Sequence, residues 1–309
     1  SLMQPPTVSI GVPVYNGEED LQKSLDCLLR QTHTDFKVLL SDNASTDGTS
    51  EICAAMAAQD SRFTHVFHET NLGMSGNFRY ALTEAPASDL FMWRAHDDVT
   101  SDDYLERLVA LHANDPATRL AVGRVKTLKM YTDGRLKHER WRRMPSALNS
   151  STSVRALNDR MFSLHESSYY GVWHRETLLG LFDRIYAAFP HPWAADHLTL
   201  LALSLDGTIR GDRNAIFTQR LLRHNDDQAP VEHDPQRSVA SVSMEELHIQ
   251  AGAVYDALVD EREWSILQRA ALSAVRKRWL TKRVGKTSAS KRSGLRKAIS
   301  QLNRARKNR

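Results

Sequence analysis

The stretch FMWRAHDDVTSDDYLERL, residues 91–108, sets two adjacent carboxylates, Asp97 and Asp98, just after an apolar run that reads as a buried strand. Neighbouring carboxylates repel each other and resist desolvation, and the commonest remedy is a divalent cation, so the stretch reads as a metal or a phosphate site. Helix capping is the plainer explanation for part of the stretch. Ser101, Asp102 and Asp103 read as the opening of the next helix, where acidic side chains favour the free N–H groups of the first turn. That leaves Asp97 and Asp98 unexplained, at the carboxyl end of a strand, where open α/β sheets place their ligands. His96 beside them reads either as a structural residue or as one that orients its neighbours.

Other turns carry chemistry of the same kind. Pro13, Tyr15 and Asn16 form either an ordinary strand-to-helix turn or a surface that presents an aromatic face and an amide to a base. Asp42 follows FKVLLS and can accept from a ring N–H, while Ser45, Asp47, Gly48 and Thr49 read as turn and cap residues. Farther along, Asp196 stands before the apolar stretch HLTLLALSL, where helix capping is one reading, and His224 follows RLLR. No G-x-G-x-x-G or G-x-x-x-x-G-K-[ST] pattern occurs, so a dinucleotide fingerprint or a phosphate-gripping loop is not supported.

These residues need elements to hold them. TVSIGVPVY, FKVLLS, FTHVF and LFMW read as strands, separated by helices over 18–30, 47–59 and 74–84, with Leu21, Leu25, Leu28 and Leu29 on one face of the first. Such alternation predicts a parallel sheet with right-handed crossovers and four polar turns meeting at one edge. Beyond residue 115 the pattern loosens. LAVGRVKTLKMY and SSYYGVWH read as strands, residues 136–153 as a mobile loop, IRGD and AIFTQRLLRHN as short strands, and 244–280 as two helices. Tyr169 and Tyr170 alternate faces in the expected strand, so one of them at most reaches a ligand.

Bulk properties bound the reading. The chain has 309 residues, 41% hydrophobic and 25% charged, as in a globular protein. The two cysteines, Cys27 and Cys53, stand apart from any zinc-like cluster and read as reduced core residues of a cytoplasmic protein. Nothing marks export or a membrane span. The net charge of +4 is uneven: residues 276–309 hold 14 Lys and Arg and no Asp or Glu, leaving 27 basic against 37 acidic side chains before them. Trp279, Leu280, Leu295, Ile299 and Leu302 among these cations suggest a surface for the inner face of an anionic membrane. An acidic body without a nucleic-acid module argues against nucleic acid as a partner.

Taken together, VSIGVPVYNGEEDLQKSLDCLLRQT, VLLSDNASTDGT, NLGMSGNF and WRAHDDV, in this order and spacing, resemble the family 2 glycosyltransferases. The resemblance is strong over 7–112 and weaker over 113–225. It implies an α/β fold of the GT-A type, a Rossmann-like sandwich with a mostly parallel central sheet, followed by C-terminal helices. It also implies a donor half at 7–112 and an acceptor half at 113–230 within a catalytic domain at 1–230. A helical extension over 231–284 and a basic tail over 285–309 complete the expected organisation.

The activity it implies is metal-dependent, inverting transfer of a sugar from a nucleoside-diphosphate sugar to a hydroxyl of a saccharide or lipid-linked acceptor, in bacterial surface polysaccharide or glycolipid assembly. Pro13, Tyr15, Asn16, Asp42, Asn77 and Asp97 would bind the donor, Asp98 and His224 would hold Mg²⁺ or Mn²⁺, and Asp196 would be the catalytic base. Several positions depart from the family pattern. Ala95 stands at the first acidic place of the metal motif, Phe78 where an arginine is common, Ala195 before the candidate base, and Arg223–His224 lacks a spacer. The rival reading is a non-catalytic nucleotide-sugar-binding or assembly protein on the same fold.

Overall fold

The computed structural model describes residues 5–131, 133–222 and 242–287. In the first third of the chain, strand and helix alternate as their apolar periods require. β1 (Val8–Val14) is buried at every position. α1 (Glu18–Leu29) turns Leu21, Leu25 and Leu28 inward, with Leu29 packed at the margin of the same core. Then follow β2 (Lys37–Asp42), α2 (Thr49–Gln59), β3 (Phe63–Phe67), α3 (Gly73–Glu84) and β4 (Leu90–Trp93). β1, β2, β3 and β4 pair in parallel in the order β3-β2-β1-β4. After β3 the chain crosses back to lay β4 on the free side of β1. The strand order therefore reverses between β1 and β4, and a crevice opens beyond their carboxyl ends. Gly11 makes the packing there possible, since a Cβ on it would lie 2.8 Å from the Phe91 ring and 2.9 Å from Ala81.

The remainder extends this sheet to nine strands. In chain order come β5 (Val99–Thr100), α4 (Tyr104–Asn114), β6 (Leu120–Met130), β7 (Leu136–Trp141) and α5 (Val154–Ser163). A 3-10 turn over Glu166–Tyr170 leads into β8 (Val172–His174), α6 (Arg175–Ala188), α7 (Ala195–Asp206) and β9 (Ile209–Leu222). β8 runs antiparallel between β4 and β6, while the longest ladder, β6 with β9, is parallel.

Four details differ from the sequence reading. Residues 136–141 form β7 rather than a loop. All six are exposed, so no apolar alternation advertised the strand, and it is held by its ladder to β6 and by Arg124 over the Trp141 ring at 4.4 Å. SSYY is a 3-10 turn, because its aromatic rings pack into the core from a tight bend instead of alternating across a sheet. The two short strands expected over 209–225 are a single β9, with a register shift opposite Gly123 and Arg124. α4 carries no side-chain cap, for the Ser101 hydroxyl instead accepts the Ile216 N–H at 3.1 Å and ties the helix entrance to β9.

α8 (Met244–Asp260) and α9 (Ile266–Arg283) share one core with α5, α6 and α7, in which Leu157, Ile185, Leu198, Leu258 and Trp279 meet. Ser265 and Gln268 close a capping box at the start of α9. Trp279 and Leu280, expected to face a membrane, are 2% and 3% exposed and so belong to this core. Residues 288–309 lie outside the described residues. Among the described residues no helix is long and apolar enough to cross a membrane. Cys27 and Cys53 are buried and free.

Candidate active site

At the switch point between β1 and β4 lies a cavity of about 160 Å³. Pro13, Tyr15 and Met74 bound one part of it, and His96, Asp97 and Tyr170 another. Local structure explains the lining. β1 runs straight into Pro13 and Tyr15, and β4 ends at a tight turn in which the Asp98 N–H donates to the Ala95 carbonyl. The His96 ring lies against Gly17, where a Cβ would come within 2.8 Å of it, so a larger residue there would push the ring away.

The two carboxylates of that turn differ sharply. Asp97 is part-exposed and lines the cavity. Asp98 is 6% exposed, and its Oδ2 is buried with no hydrogen-bond partner. Burial and the neighbouring Asp97 push the Asp98 carboxyl up to about 7, against the pull of Arg94 and Arg220. A buried orphan oxygen beside a second carboxylate is a hard, anionic donor set that suits Mg²⁺ or Mn²⁺. The described residues contain no group of three His, Cys, Asp or Glu arranged to hold a metal, so diphosphate and water oxygens would complete the shell. His224 lies outside the described residues.

Two arginines hold the acidic turn. Arg220, on β9, donates to the Asp97 carbonyl at 3.0 and 3.1 Å and to Asp20 Oδ1 at 2.8 Å. Arg94, 2% exposed, donates to the Asp98 carbonyl at 3.2 Å and to Thr100 Oγ1 at 2.8 Å. Neither was singled out by sequence reasoning. Arg94 stands inside WRAHDD, and Arg220 lies three residues before Arg223, but only the sheet brings β9 beside the end of β4.

Other expected donor residues have different partners. Asn16 is exposed at φ 48°, with its Oδ1 accepting the Thr46 N–H at 2.8 Å, so its amide joins two loops and stands outside the cavity lining. Asp42 is fully buried away from the lining. One of its oxygens accepts the Ser45 N–H at 3.0 Å and the other lies 4.0 Å from His65 Nε2. Asn77 touches the cavity, yet its amide accepts from the Ser41 hydroxyl at 2.6 Å and donates to the Ser41 carbonyl at 3.0 Å, fastening α3 to β2. For Asn16 and Asp42 the physical reason is shared, since side-chain oxygens at strand ends are first claimed by the unpaired N–H groups of the turns, whereas Asn77 is claimed by Ser41 of β2.

Asp196 lies in the first turn of α7, beyond Ala194, which adopts a left-handed φ of 68°. It does not cap the helix; its Oδ1 accepts the adjacent His197 N–H at 2.7 Å. Its charge acts on the Tyr170 hydroxyl, as do those of Asp97 and Asp98, and together with burial they hold that phenol well above its ordinary value. Tyr170 thus stands between the acidic turn and α7. Tyr169 is outside the cavity lining and stacks on Trp93 at 4.8 Å, and burial and then the charges of Tyr186 and Asp196 hold its phenol, too, well above its ordinary value.

The Glycosyl transferase family 2 profile matches residues 9–165, half of the chain, and spans the acidic turn, the cavity wall and α5. The chain belongs to this family. Among curated relatives, Glycosyltransferase GlyG of Streptococcus pneumoniae serotype 4 is 29% identical over 101 residues, covering 33% of this chain and 33% of GlyG. The uncharacterized glycosyltransferase EpsJ of Bacillus subtilis is 40% identical over 70 residues, 23% of this chain and 20% of EpsJ. The family 2 chain thus matches a third or less of the length of these relatives. Its fold is similar to that of S. aureus TarS, with a TM-score of 0.60 at 16% identity, over 92% of this chain and 44% of TarS. It is also similar to the mannosyltransferase PcManGT of Pyrobaculum calidifontis, solved with GDP-Man and Mn²⁺, with a TM-score of 0.51 at 15% identity over 97% and 81% of the two chains. The architecture is that of a GT-A glycosyltransferase.

Proposed function

We propose that this chain transfers a sugar from a nucleoside-diphosphate donor to an acceptor hydroxyl, with inversion at the anomeric carbon. The observation that carries the reading is Asp97 in the lining of the switch-point cavity, followed in the chain by Asp98, whose buried oxygen has no hydrogen-bond partner. Pro13 and Tyr15 offer the cavity an apolar wall for base and ribose, and Asp97 a part-exposed carboxylate for the ribose hydroxyls. Asp97 and Asp98 would hold Mg²⁺ or Mn²⁺, which when bound neutralises charge on the departing diphosphate. Arg220 and Arg94 keep the turn in place by gripping its two carbonyls.

Asp196 is the proposed base. It takes the acceptor proton as the acceptor oxygen forms its bond to the anomeric carbon and the bond to the diphosphate oxygen breaks. A single displacement from the face opposite the leaving group inverts the centre, and no covalent enzyme intermediate is needed. TarS has been solved with UDP and with UDP-GlcNAc, and PcManGT with GDP-Man, which supports a nucleoside-diphosphate sugar as the class of donor.

The rival reading, a binder without turnover, draws support from Ala95 at the first acidic place and from the absence of a three-ligand cluster among the described residues. Calorimetry of UDP and GDP with and without Mn²⁺, together with donor turnover, separates the two. Asp98→Ala is expected to remove most of the Mn²⁺-supported nucleotide affinity; unchanged affinity and unchanged Mn²⁺ dependence would overturn the metal assignment. Nucleotide binding without turnover on any acceptor or water would favour the binder.

A further inference from the structure

Two larger cavities of about 530 Å³ each lie on another face of the molecule, and they adjoin, since both are lined by Arg143, Phe162 and Ser163. The first is walled by Arg140, Arg142 and Arg143 at the end of β7 and just beyond it, and by Lys282 and Arg283 at the end of α9. Arg155 and Arg278 continue the lining into the second. Seven cations therefore face two carboxylates, Asp159 and Glu166. Asp159 is already occupied by Arg143 at 2.8 Å and by the N–H groups of Ser146 and Ala147 at 2.7 and 3.0 Å. Among the described residues, the other six cations make no ion pair within 4.0 Å.

Gathering like charges this closely is unfavourable unless something offsets it. Lys282 registers the cost, being held below the ordinary lysine range by burial and by the neighbouring Arg283 and Arg278. The side chains are nonetheless set in place by uncharged partners. Arg142 Nε donates to Thr127 Oγ1 at 2.9 Å, Lys282 Nζ to the Phe162 carbonyl at 2.7 Å, and Arg283 to the Met161 and Leu164 carbonyls at 2.9 and 2.7 Å. Arg278 lies 4.2 Å above the Phe162 ring, and Lys282 5.9 Å from it. The groove is thus a built array of guanidinium forks with spare donors, and phosphate oxygens are their natural complement.

Its position connects it with the proposed chemistry. Arg283 lines the groove and also feels the charge of Asp196, and His197, next to Asp196, shares a small adjoining cavity with Arg283. Asp196 in turn acts on Tyr170, which borders the switch-point cavity. The groove thus adjoins, through Arg283, the small cavity that His197 lines, one residue beyond the residue assigned as base.

We infer that the groove binds a phosphate or phosphodiester group carried by the acceptor, and so directs the acceptor hydroxyl to Asp196. This rests on the transferase reading given above, but its test does not require turnover. Titration of the full chain with inorganic tripolyphosphate, in the absence of the divalent cations it would chelate, is expected to show salt-sensitive binding. Arg140 and Arg155 are exposed and, among the described residues, make no side-chain hydrogen bond, so Arg140→Gln with Arg155→Gln keeps the fold while thinning the groove at both ends. This pair should weaken tripolyphosphate binding about tenfold or more and leave UDP binding unchanged. Asp98→Ala should do the reverse.

Unchanged tripolyphosphate affinity in the paired variant would overturn the inference, as would displacement of tripolyphosphate by UDP, which would place it in the donor cavity. Parallel sedimentation with phosphatidylglycerol vesicles and titration with soluble glycerol phosphate tell a lipid-borne phosphate from a free one. Vesicle binding that depends on Arg140 and Arg155 without any binding of tripolyphosphate would mean a membrane surface and would overturn the acceptor assignment. If the groove binds as expected but no donor is turned over, the transferase reading fails and the anion site stands.

Discussion

The carboxyl edge of the parallel strands and the basic groove are built from opposite materials. The first is a small crevice of about 160 Å³ lined by one carboxylate, Asp97, with the buried and unpartnered Asp98 next to it in the chain, whereas the second is a wide cationic trough whose two parts measure about 530 Å³ each. Most of the crevice comes from the ends of β1 and β4 and the first turns of α3, all in the first hundred residues, and the trough joins β7 and α5 to α9, which lies more than a hundred residues farther along the chain. Each holds unbalanced charge, of opposite sign. The difference teaches that unbalanced charge here is arranged by function class: carboxylates where a cation and diphosphate would sit, guanidinium groups where an anionic acceptor would lie.

Asp196, whose charge acts both on Tyr170 of the crevice and on Arg283 of the groove, offers the sharpest way to separate them. Asp196→Asn keeps the size of the side chain and removes the base, so turnover is expected to fall roughly 10²–10⁴-fold with little change in nucleotide affinity. Steady-state kinetics beside nucleotide calorimetry measures both. If turnover stayed within a few-fold of the parent, the link between crevice and groove would be lost and Asp196 would be structural.

Trp279→Ala tests the groove side through its foundation. The ring is buried against Tyr255 at 5.5 Å in the core that α9 shares with α5 and α7, and its loss is expected to cost about 3–5 kcal/mol. Chemical denaturation reads this directly. A loss below about 1 kcal/mol would mean that α9 is a peripheral attachment, contrary to the burial of Trp279, and that the groove has no rigid wall.

The smallest expected effect concerns the crevice alone. Arg220→Ala removes the donor pair on the Asp97 carbonyl and the contact with Asp20, leaving both candidate metal carboxylates in the chain. Mn²⁺-supported nucleotide affinity should drop about 10–100-fold, as when a residue that orients a metal ligand is lost. Tripolyphosphate binding in the groove should not move. A fall in both affinities would show that the two regions are not independent.

How much of this was legible without coordinates follows from the range of the interactions. Apolar periods over 7–112 are local and repeated, so the strands, helices and switch-point crevice could be read from them, and Pro13, Tyr15 and Asp97 do line that crevice. Side-chain commitments were not readable. Asn16, Asp42 and Asn77 have the right chemistry for a ligand, yet turn backbone and Ser41 engage them first. β7 escaped notice because an exposed strand lacks an apolar face, and the interfacial appearance of Trp279 and Leu280 reversed once a second helix layer covered them.

The sequence by itself determined the family and the order of elements over residues 7–112, because binary patterning and strand-end motifs act over a few residues each. It also determined that Asp97 and Asp98 would be adjacent at a strand end, and that cations would outnumber acids after residue 276. Only the tertiary structure decided that Asp98 is buried with one oxygen unpartnered while Asp97 is part-exposed, that Arg220 crosses from β9 to hold their turn, and that arginines from β7 and α9 share one groove. Those outcomes depend on which distant surfaces meet and which water is excluded, and burial of a charge is a property of the whole fold, not of its neighbours in the chain.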